Sequence, residues 1–394
     1  MISHLGKRKG LRRRAIAALA AVACAFPAGA QTTKAPAPAE ASRIKVTTLA
    51  KGLDRPWSFG FLPDGRIIVT ELGGRLRLVD RGGQVTGSVA GVPAVVASGQ
   101  GGLLDVALAP DHATSGFIYL AYSEPRGGRN SGTSIARAKL ESEGSGRLSG
   151  LQVIFRQKPD FAVPMHFGSR IAVAPDGSLF VTLGERNTGR SIGEPVHLAA
   201  QDPANHFGKV VRIDPDGAPH RATPKLPGWA PEVWSLGHRN PQSAAIHPVT
   251  GKLWTVEHGA RGGDEINIPE AGRNYGWPVI SYGRDYSGAR IGVGTQKPGL
   301  EQPVYYWDPS IAPSGMAFYT GDLFPAWKGN LFVGALAGSH LARLVLDGEK
   351  VVAEEKLLAG EGERIRDVRQ GPDGALYVAT DSGNGRILRI APGP

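Results

Sequence analysis

The sequence predicts an all-β chain, a six-bladed β-propeller of four-stranded antiparallel blades. Three observations predict it. One phrase, a turn of the Pro-Asp-Gly type followed by an apolar strand, occurs six times along the chain. The 394 residues include Gly 55 and Pro 30, which supply the tight turns that such a chain needs. No long amphipathic helix pattern lies between the copies, which argues against βαβ folds.

The copies are Leu62–Glu71, Pro110–Tyr122, Pro175–Glu185, His247–Glu257, Trp327–Ala335 and Pro372–Asp381. Proline presets φ for a turn, and glycine accepts the positive φ that follows. The strand after each turn is rich in β-branched and aromatic residues, and it often ends on a polar or charged one. Another apolar strand precedes most turns, as in Ser169–Ala174 and Ile365–Arg369. A third follows several, as in Arg75–Val79 and Gly385–Ile390. The unit is a small antiparallel sheet, and radial repetition of such sheets protects their edges.

Copies begin roughly 45 to 80 residues apart, whereas a regular blade takes about 40–50. The longer intervals are expected to hold inserted loops, at 184–245, 258–310 and 335–365. The segment near Ile44–Leu49 is expected to join the final blade and close the ring. Two β-sandwiches sharing these turns are the alternative; six copies of one phrase favour the propeller.

The N-terminus reads as an export signal. Lys7, Arg8, Lys9, Arg12, Arg13 and Arg14 precede an apolar stretch from Ala15 to Phe26. That stretch is short for a membrane span, and Ala28-Gly29-Ala30 fits a signal peptidase. The expected organisation is a signal peptide at 1–30, a flexible Pro/Ala linker at 31–42 and a propeller at 43–394, with the mature protein in the periplasm. Arg12–Arg14 leave ordinary and twin-arginine export both open.

Cleavage there removes six positive residues, so the formal charge of +10 falls to +4. The basic balance therefore owes much to the leader, and no basic stripe with interleaved aromatics suggests nucleic-acid binding. Cys24, the only cysteine, leaves with the leader. That excludes disulfides, thiolate nucleophiles and thiolate metal sites from the mature chain. No membrane span remains, and monomer and homodimer both stay open.

A propeller binds ligands where its channel opens on one face and the connections converge. Six unusual segments stand in such connections. Ser98–Asp105 sets Gln100 among glycines, and it also reads as a plain turn. Met165–Arg170 carries His166 just before a strand, where a neutral imidazole suits proton abstraction from an alcohol; a lone histidine is also commonly structural. Ser235–Gln242 packs His238, Arg239, Asn240 and Gln242 into one donor-rich loop, suited to an anionic or carbonyl-rich partner. Glu257–Asn267 is acidic and glycine-rich, suited to a hard cation such as calcium or to a simple surface turn. Tyr305–Met316 is aromatic, and Arg364 and Arg366 lie on one face of an extended chain.

In this order the segments resemble the soluble PQQ-dependent sugar dehydrogenases, nearest to their aldose dehydrogenase subgroup. The likeness runs from about Ile44 to the C-terminus. Its most specific parts are Gly237–Gln242, Gly262–Asn267 followed by Asn274–Pro278, and Arg364–Val368. The resemblance implies PQQ and Ca2+ as cofactors and an aldose oxidised to its lactone, with electrons passing to an external acceptor. It implies His166 as the base, Arg239 and Asn240 beside the reactive quinone carbonyl, and Gln100, Tyr286, Ser310, Arg364 and Arg366 as cofactor contacts. It implies the carbonyls of Gly259 and Ala260 as ligands of the calcium that holds PQQ. Glu265 and the Tyr275 carbonyl match a second calcium site. One departure stands out: Ala337 occupies a position where the family can carry a lysine. The rival readings are a lactonase-type propeller hydrolase and a non-catalytic sugar- or protein-binding propeller. The first would want acidic ligands spread over several blades, whereas here they cluster in one loop.

Overall fold

The computed structural model describes Met1 and residues 35–394, so the expected signal peptide lies, beyond Met1, outside the described residues. Six four-stranded antiparallel sheets follow one another in chain order. Blade 1 comprises Pro56–Phe61, Ile67–Glu71, Arg75–Val79 and Val85–Ser88. Blade 2 comprises Leu103–Leu108, Phe117–Pro125, Ser131–Glu141 and Arg147–Arg156. Blade 3 comprises Gly168–Val173, Leu179–Leu183, Lys209–Ile213 and Val233–Leu236. Blade 4 comprises Pro241–Ile246, Leu253–Glu257, Asp264–Asn267 and Tyr305–Trp307. Blade 5 comprises Pro313–Phe318, Leu331–Ala335, His340–Asp347 and Lys350–Leu357. Blade 6 takes Ile365–Gln370, Leu376–Thr380 and Gly385–Pro392, and completes itself with Ile44–Leu53.

That last pairing closes the ring as the sequence suggests. Ile44 stands opposite Pro392 and Leu53 opposite Gly385, antiparallel throughout. The Pro-Asp-Gly turns join the first and second strands of their blades in one geometry. Gly65 donates to the Leu62 carbonyl at 2.9 Å, Gly177 to Ala174 at 2.9 Å and Gly374 to Gly371 at 3.0 Å. All three glycines have positive φ. The second strands Ile67–Glu71, Leu179–Leu183, Leu331–Ala335 and Leu376–Thr380 are buried along their whole length. Blades cover both of their faces, which is why they read as unbroken apolar runs rather than alternating ones. Trp254 and Trp307 of blade 4, for example, share one cluster with Met316, Leu331 and Leu344 of blade 5.

One expected insertion is not an insertion. The interval 335–365 holds the two outer strands of blade 5, paired from Leu341–Leu357 to Asp347–Lys350. The outermost of them alternates buried Val351 and Ala353 with exposed Lys350 and Val352 and ends in a charged run; that polar edge is what reads as loop. The other two expected intervals do hold long connections, 184–208 and 214–232 in blade 3 and 268–304 in blade 4.

The first strand of each blade lines the central axis, and each neighbours the next around the ring. A buried ionic plug crosses that axis. Arg170 meets Asp105 at 2.9 Å and Asp367 at 3.1 Å, while Arg369 meets Asp105 at 3.3 Å and Asp367 at 3.1 Å. Ser58 donates to Asp105 at 2.6 Å. The plug separates a well at the strands' N-terminal ends, lined by Gln100, Gln242, Arg364 and Arg366, from a mouth at their C-terminal ends lined mainly by aliphatic and aromatic side chains together with Arg369 and Gln370.

Candidate active site

The well holds a cavity of about 320 Å3. Its walls come from the residues just before, or first within, the inner strands: Arg55 and Trp57, Gln100, Phe167 and Gly168, Gln242, Ala312, and Arg364 with Arg366. Blade repetition brings these segments to one place, because each connection from an outer strand must return to the axis at the same end. Gln100, Arg364 and Arg366 thus face one space, as the sequence suggests.

His166 and Arg239 stand at its edge, next to each other. The imidazole Nδ1 lies 2.5 Å from Glu185 Oε1. The Glu185 backbone N–H donates to the Arg239 carbonyl at 2.9 Å, so one residue ties both segments. Burial, and then the Arg239 guanidinium, hold the His166 pKa below its ordinary 6.5. Burial alone pushes Glu185 up, but the His166 hydrogen bond and nearby cations outweigh it and keep the carboxyl below its usual range. The pair is therefore a neutral imidazole on a carboxylate. A carboxylate only accepts, so Nδ1 carries the proton and Nε2 keeps its lone pair. Thr188 Oγ1 at 2.9 Å and the Gly189 N–H at 2.7 Å fix the other carboxylate oxygen.

His166 is held in the left-handed region with φ 50°, a strain of about 1–3 kcal/mol for a non-glycine residue. Gln100 opposes it by accepting the His166 backbone N–H at 2.8 Å. Asn240 Oδ1 accepts the Gly168 N–H at 3.2 Å and the Gln242 amide at 3.2 Å. Arg239 Nη1 donates to the His258 carbonyl at 3.1 Å, and its guanidinium lies 5.1 Å from the Trp277 ring centroid. His258 is driven down to about 3 by burial and then by Arg239, so it stays neutral; its Nε2 lies 2.7 Å from the Pro313 carbonyl. Asp381 holds Arg364 at 3.1 Å and Arg366 at 2.9 Å.

Several donors here have no partner within the protein. Arg239 Nε, Asn240 Nδ2 and Arg366 Nε are all buried and unsatisfied among the described residues. Buried donors left unpaired are costly; Arg366 lines the well with Arg364, and Arg239 lines the small void beside Gly259. The site fits a planar, oxygen-rich polyanion such as PQQ.

The acidic loop fits a cation through backbone oxygens rather than side chains. Among the described residues no three His, Cys, Asp or Glu side chains converge as metal ligands. Gly259 and Ala260 are buried, and no backbone N–H among the described residues donates to either carbonyl. Beside them is a void of about 10 Å3, walled by Gly259, Glu257, Glu265 and Tyr275, room for about one water or ion. Burial, then the neighbouring Glu257, push the Glu265 carboxyl up to about 8.

Two expected contacts do not face the well. Tyr286 is 57% exposed on a turn, with the Arg190 guanidinium 5.4 Å from its ring centroid. Ser310 donates to Asp264 at 2.5 Å and braces the acidic loop instead. Ala337 stands at the blade-5 rim, its N–H donating to the Ile311 carbonyl at 3.0 Å. Sequence reasoning missed Arg55, Trp57, Glu185 and Asp381 as parts of the site. A signal was present: the polar residue ending the second strand. Glu71 accepts the Asp54 N–H, Glu185 holds His166, Glu257 accepts the Arg239 N–H and Asp381 holds the arginine pair.

Comparison with known proteins agrees with this site. Residues 53–389 match the family model described as Glucose / Sorbosone dehydrogenase. The chain is 43% identical to aldose sugar dehydrogenase YliI of Escherichia coli over 354 residues, 89% of this chain and 93% of that protein. The apo crystal structure of the E. coli soluble aldose sugar dehydrogenase superposes with a TM-score of 0.84 at 43% identity, covering 89% of this chain and 99% of that one. A PQQ-bound aldose sugar dehydrogenase from Streptomyces coelicolor superposes with a TM-score of 0.72 at 30% identity, over 90% and 99% of the two chains. With a family model spanning most of its length and a strained histidine beside an arginine at the mouth of six blades, the chain belongs to the glucose/sorbosone dehydrogenase family.

Proposed function

We propose that this protein oxidises aldose sugars at the anomeric carbon to lactones, using PQQ and Ca2+, and passes the electrons to an external acceptor. The observation that carries the reading is the His166–Glu185 pair, with its free Nε2 turned from the carboxylate and the Arg239 cation alongside. Bound PQQ supplies the two-electron acceptor for the hydride of the anomeric C–H.

His166 Nε2 takes the proton of the anomeric hydroxyl. Glu185 holds the ring in the tautomer that permits this and stabilises the imidazolium that forms. Arg239 Nε and Asn240 Nδ2, unpaired and buried, stabilise negative charge developing on an acceptor oxygen. Arg364 and Arg366 pair with cofactor carboxylates, and Gln100 keeps His166 in its strained conformation. The carbonyls of Gly259 and Ala260 would hold a calcium ion at the cofactor. Glu265 and the Tyr275 carbonyl would hold a second in the small void. The Lys/Arg-rich leader supports export to the periplasm.

The test is reconstitution. Purified apo-protein with added PQQ and calcium should reduce a redox dye in the presence of several aldoses, and neither additive alone should suffice. Absence of dye reduction with both would overturn the assignment.

A further inference from the structure

Beside the well, three arginines form a ladder. The segment after Ala260 runs antiparallel to the one after Gly283, with Arg261 directly opposite Arg284, and Arg284 stands in turn opposite Arg290. Arg261 and Arg284 exchange backbone hydrogen bonds of 2.8 and 3.0 Å. Residues directly opposite in antiparallel strands project to the same face. All three side chains are exposed, and none enters an ion pair among the described residues.

Like charges set directly opposite destabilise a ladder. The backbone nonetheless enforces this arrangement. Gly262, Gly263 and Gly283 approach so closely that a Cβ on Gly263 would lie 2.2 Å from the Gly283 nitrogen, and one on Gly283 2.2 Å from the Gly262 oxygen. The Gly263 N–H is anchored to the Trp307 carbonyl at 2.8 Å. A fixed row of three arginines, with Asp308 and Asp285 nearby, is therefore built into the fold next to the loop proposed to carry the calcium ligands.

We propose that this row docks an acidic electron-accepting protein, which collects the reducing equivalents produced in the well. The proposal rests on the dehydrogenase reading above. Small anions call for converging donors, whereas these arginines stand on three neighbouring backbones roughly 5 Å apart, with the Arg290 guanidinium resting on the Val293 carbonyl. That geometry suits an extended acidic surface. Its place at the lip keeps an acceptor close to the well while leaving the cavity open to sugar. The Arg190 guanidinium, next to Asp285 and over Tyr286, extends the same cationic rim.

The experiment uses holoenzyme, an aldose, and three acceptors: a small neutral dye, native cytochrome c, which is basic, and succinylated cytochrome c, which carries the same haem on an acidic surface. The succinylated form should be reduced at least about tenfold faster than the native one at low salt, with the preference lost by about 0.3 M salt. Arg284→Glu with Arg290→Glu should cut that rate about tenfold or more and leave dye reduction unchanged. Equal rates with the two cytochromes, alongside intact dye reduction, would overturn the docking surface alone. So would a variant that loses activity only towards a sugar acid, since the row would then belong to the substrate. No dye reduction by the unaltered holoenzyme would overturn the dehydrogenase reading itself.

Discussion

The two ends of the central channel are made by the same six strands and present different side chains. At the N-terminal ends stand Gln100, Gly168, Gln242, Arg364 and Arg366, with His166, Arg239 and Asn240 at the edge. At the C-terminal ends stand Phe59, Val106, Ile171, Ile246, Met316 and Phe318 around a cavity of about 450 Å3. The connections explain the difference. Several turns at the C-terminal ends, such as Leu62–Gly65, Ala174–Gly177 and Gly371–Gly374, are short and closed by a backbone hydrogen bond. The connections that enter the inner strands at their N-terminal ends carry Gln100, His166, Arg239 and Arg364. The ionic plug of Arg170, Arg369, Asp105 and Asp367 keeps the two ends apart.

Substitutions at the two ends and in the plug should separate these roles. The largest effect is expected from His166→Ala, which should lower turnover by about 10²–10⁴-fold while PQQ still quenches or shifts its own fluorescence on binding. Retained turnover would remove the base assignment. Next is the plug. Asp105→Ala leaves Arg170 and Arg369 each short of a buried partner, and should cost about 3–5 kcal/mol in urea unfolding. A loss below 1 kcal/mol would show that water already reaches the plug. Arg366→Ala should then weaken PQQ binding about 10- to 100-fold by titration, with the melting temperature of the apo-protein little changed.

The pH profile tests the pair more finely. His166 has its pKa lowered by burial and by Arg239, so its neutral form persists below pH 6.5. Activity should be full above 6.5 and fall only as pH drops through the depressed value. Glu185 acts in the opposite sense, its hydrogen bond raising that pKa. Glu185→Gln should therefore move the acid limb of kcat/KM to lower pH while reducing kcat, a split that simple loss of packing would not give. The smallest effect is expected at the apolar mouth. Ile246→Val should cost about 0.5–1.5 kcal/mol and leave kcat/KM unchanged.

Much of this was legible in the sequence, for physical reasons that also mark where it stopped. The repeated turn forces a strand reversal in each copy, so blade number and ring closure could be read from local residues. His166, Arg239, Asn240, Gln100, Arg364 and Arg366 could be singled out because each lies a few residues before, or within the first residues of, an inner strand. Tyr286 lies on an exposed turn within a long connection whose path the sequence does not encode locally. Asp105, Arg170 and Asp367 were in view as residues but without a role. Their pairing runs between strands of different blades, a relation that no spacing within one segment expresses. Glu185 was seen as the polar end of a repeat, yet its partner precedes it by a whole hairpin.

Ile44–Leu53 and Gly385–Pro392 form a single clasp from opposite ends of the polypeptide. During synthesis the earlier half of that clasp must wait, unpaired, until nearly the whole chain has been made. Completion is therefore a late and strongly non-local event, and a nascent chain cannot lock its ring early. If the chain is exported, as proposed, that delay would keep it threadable until it had crossed.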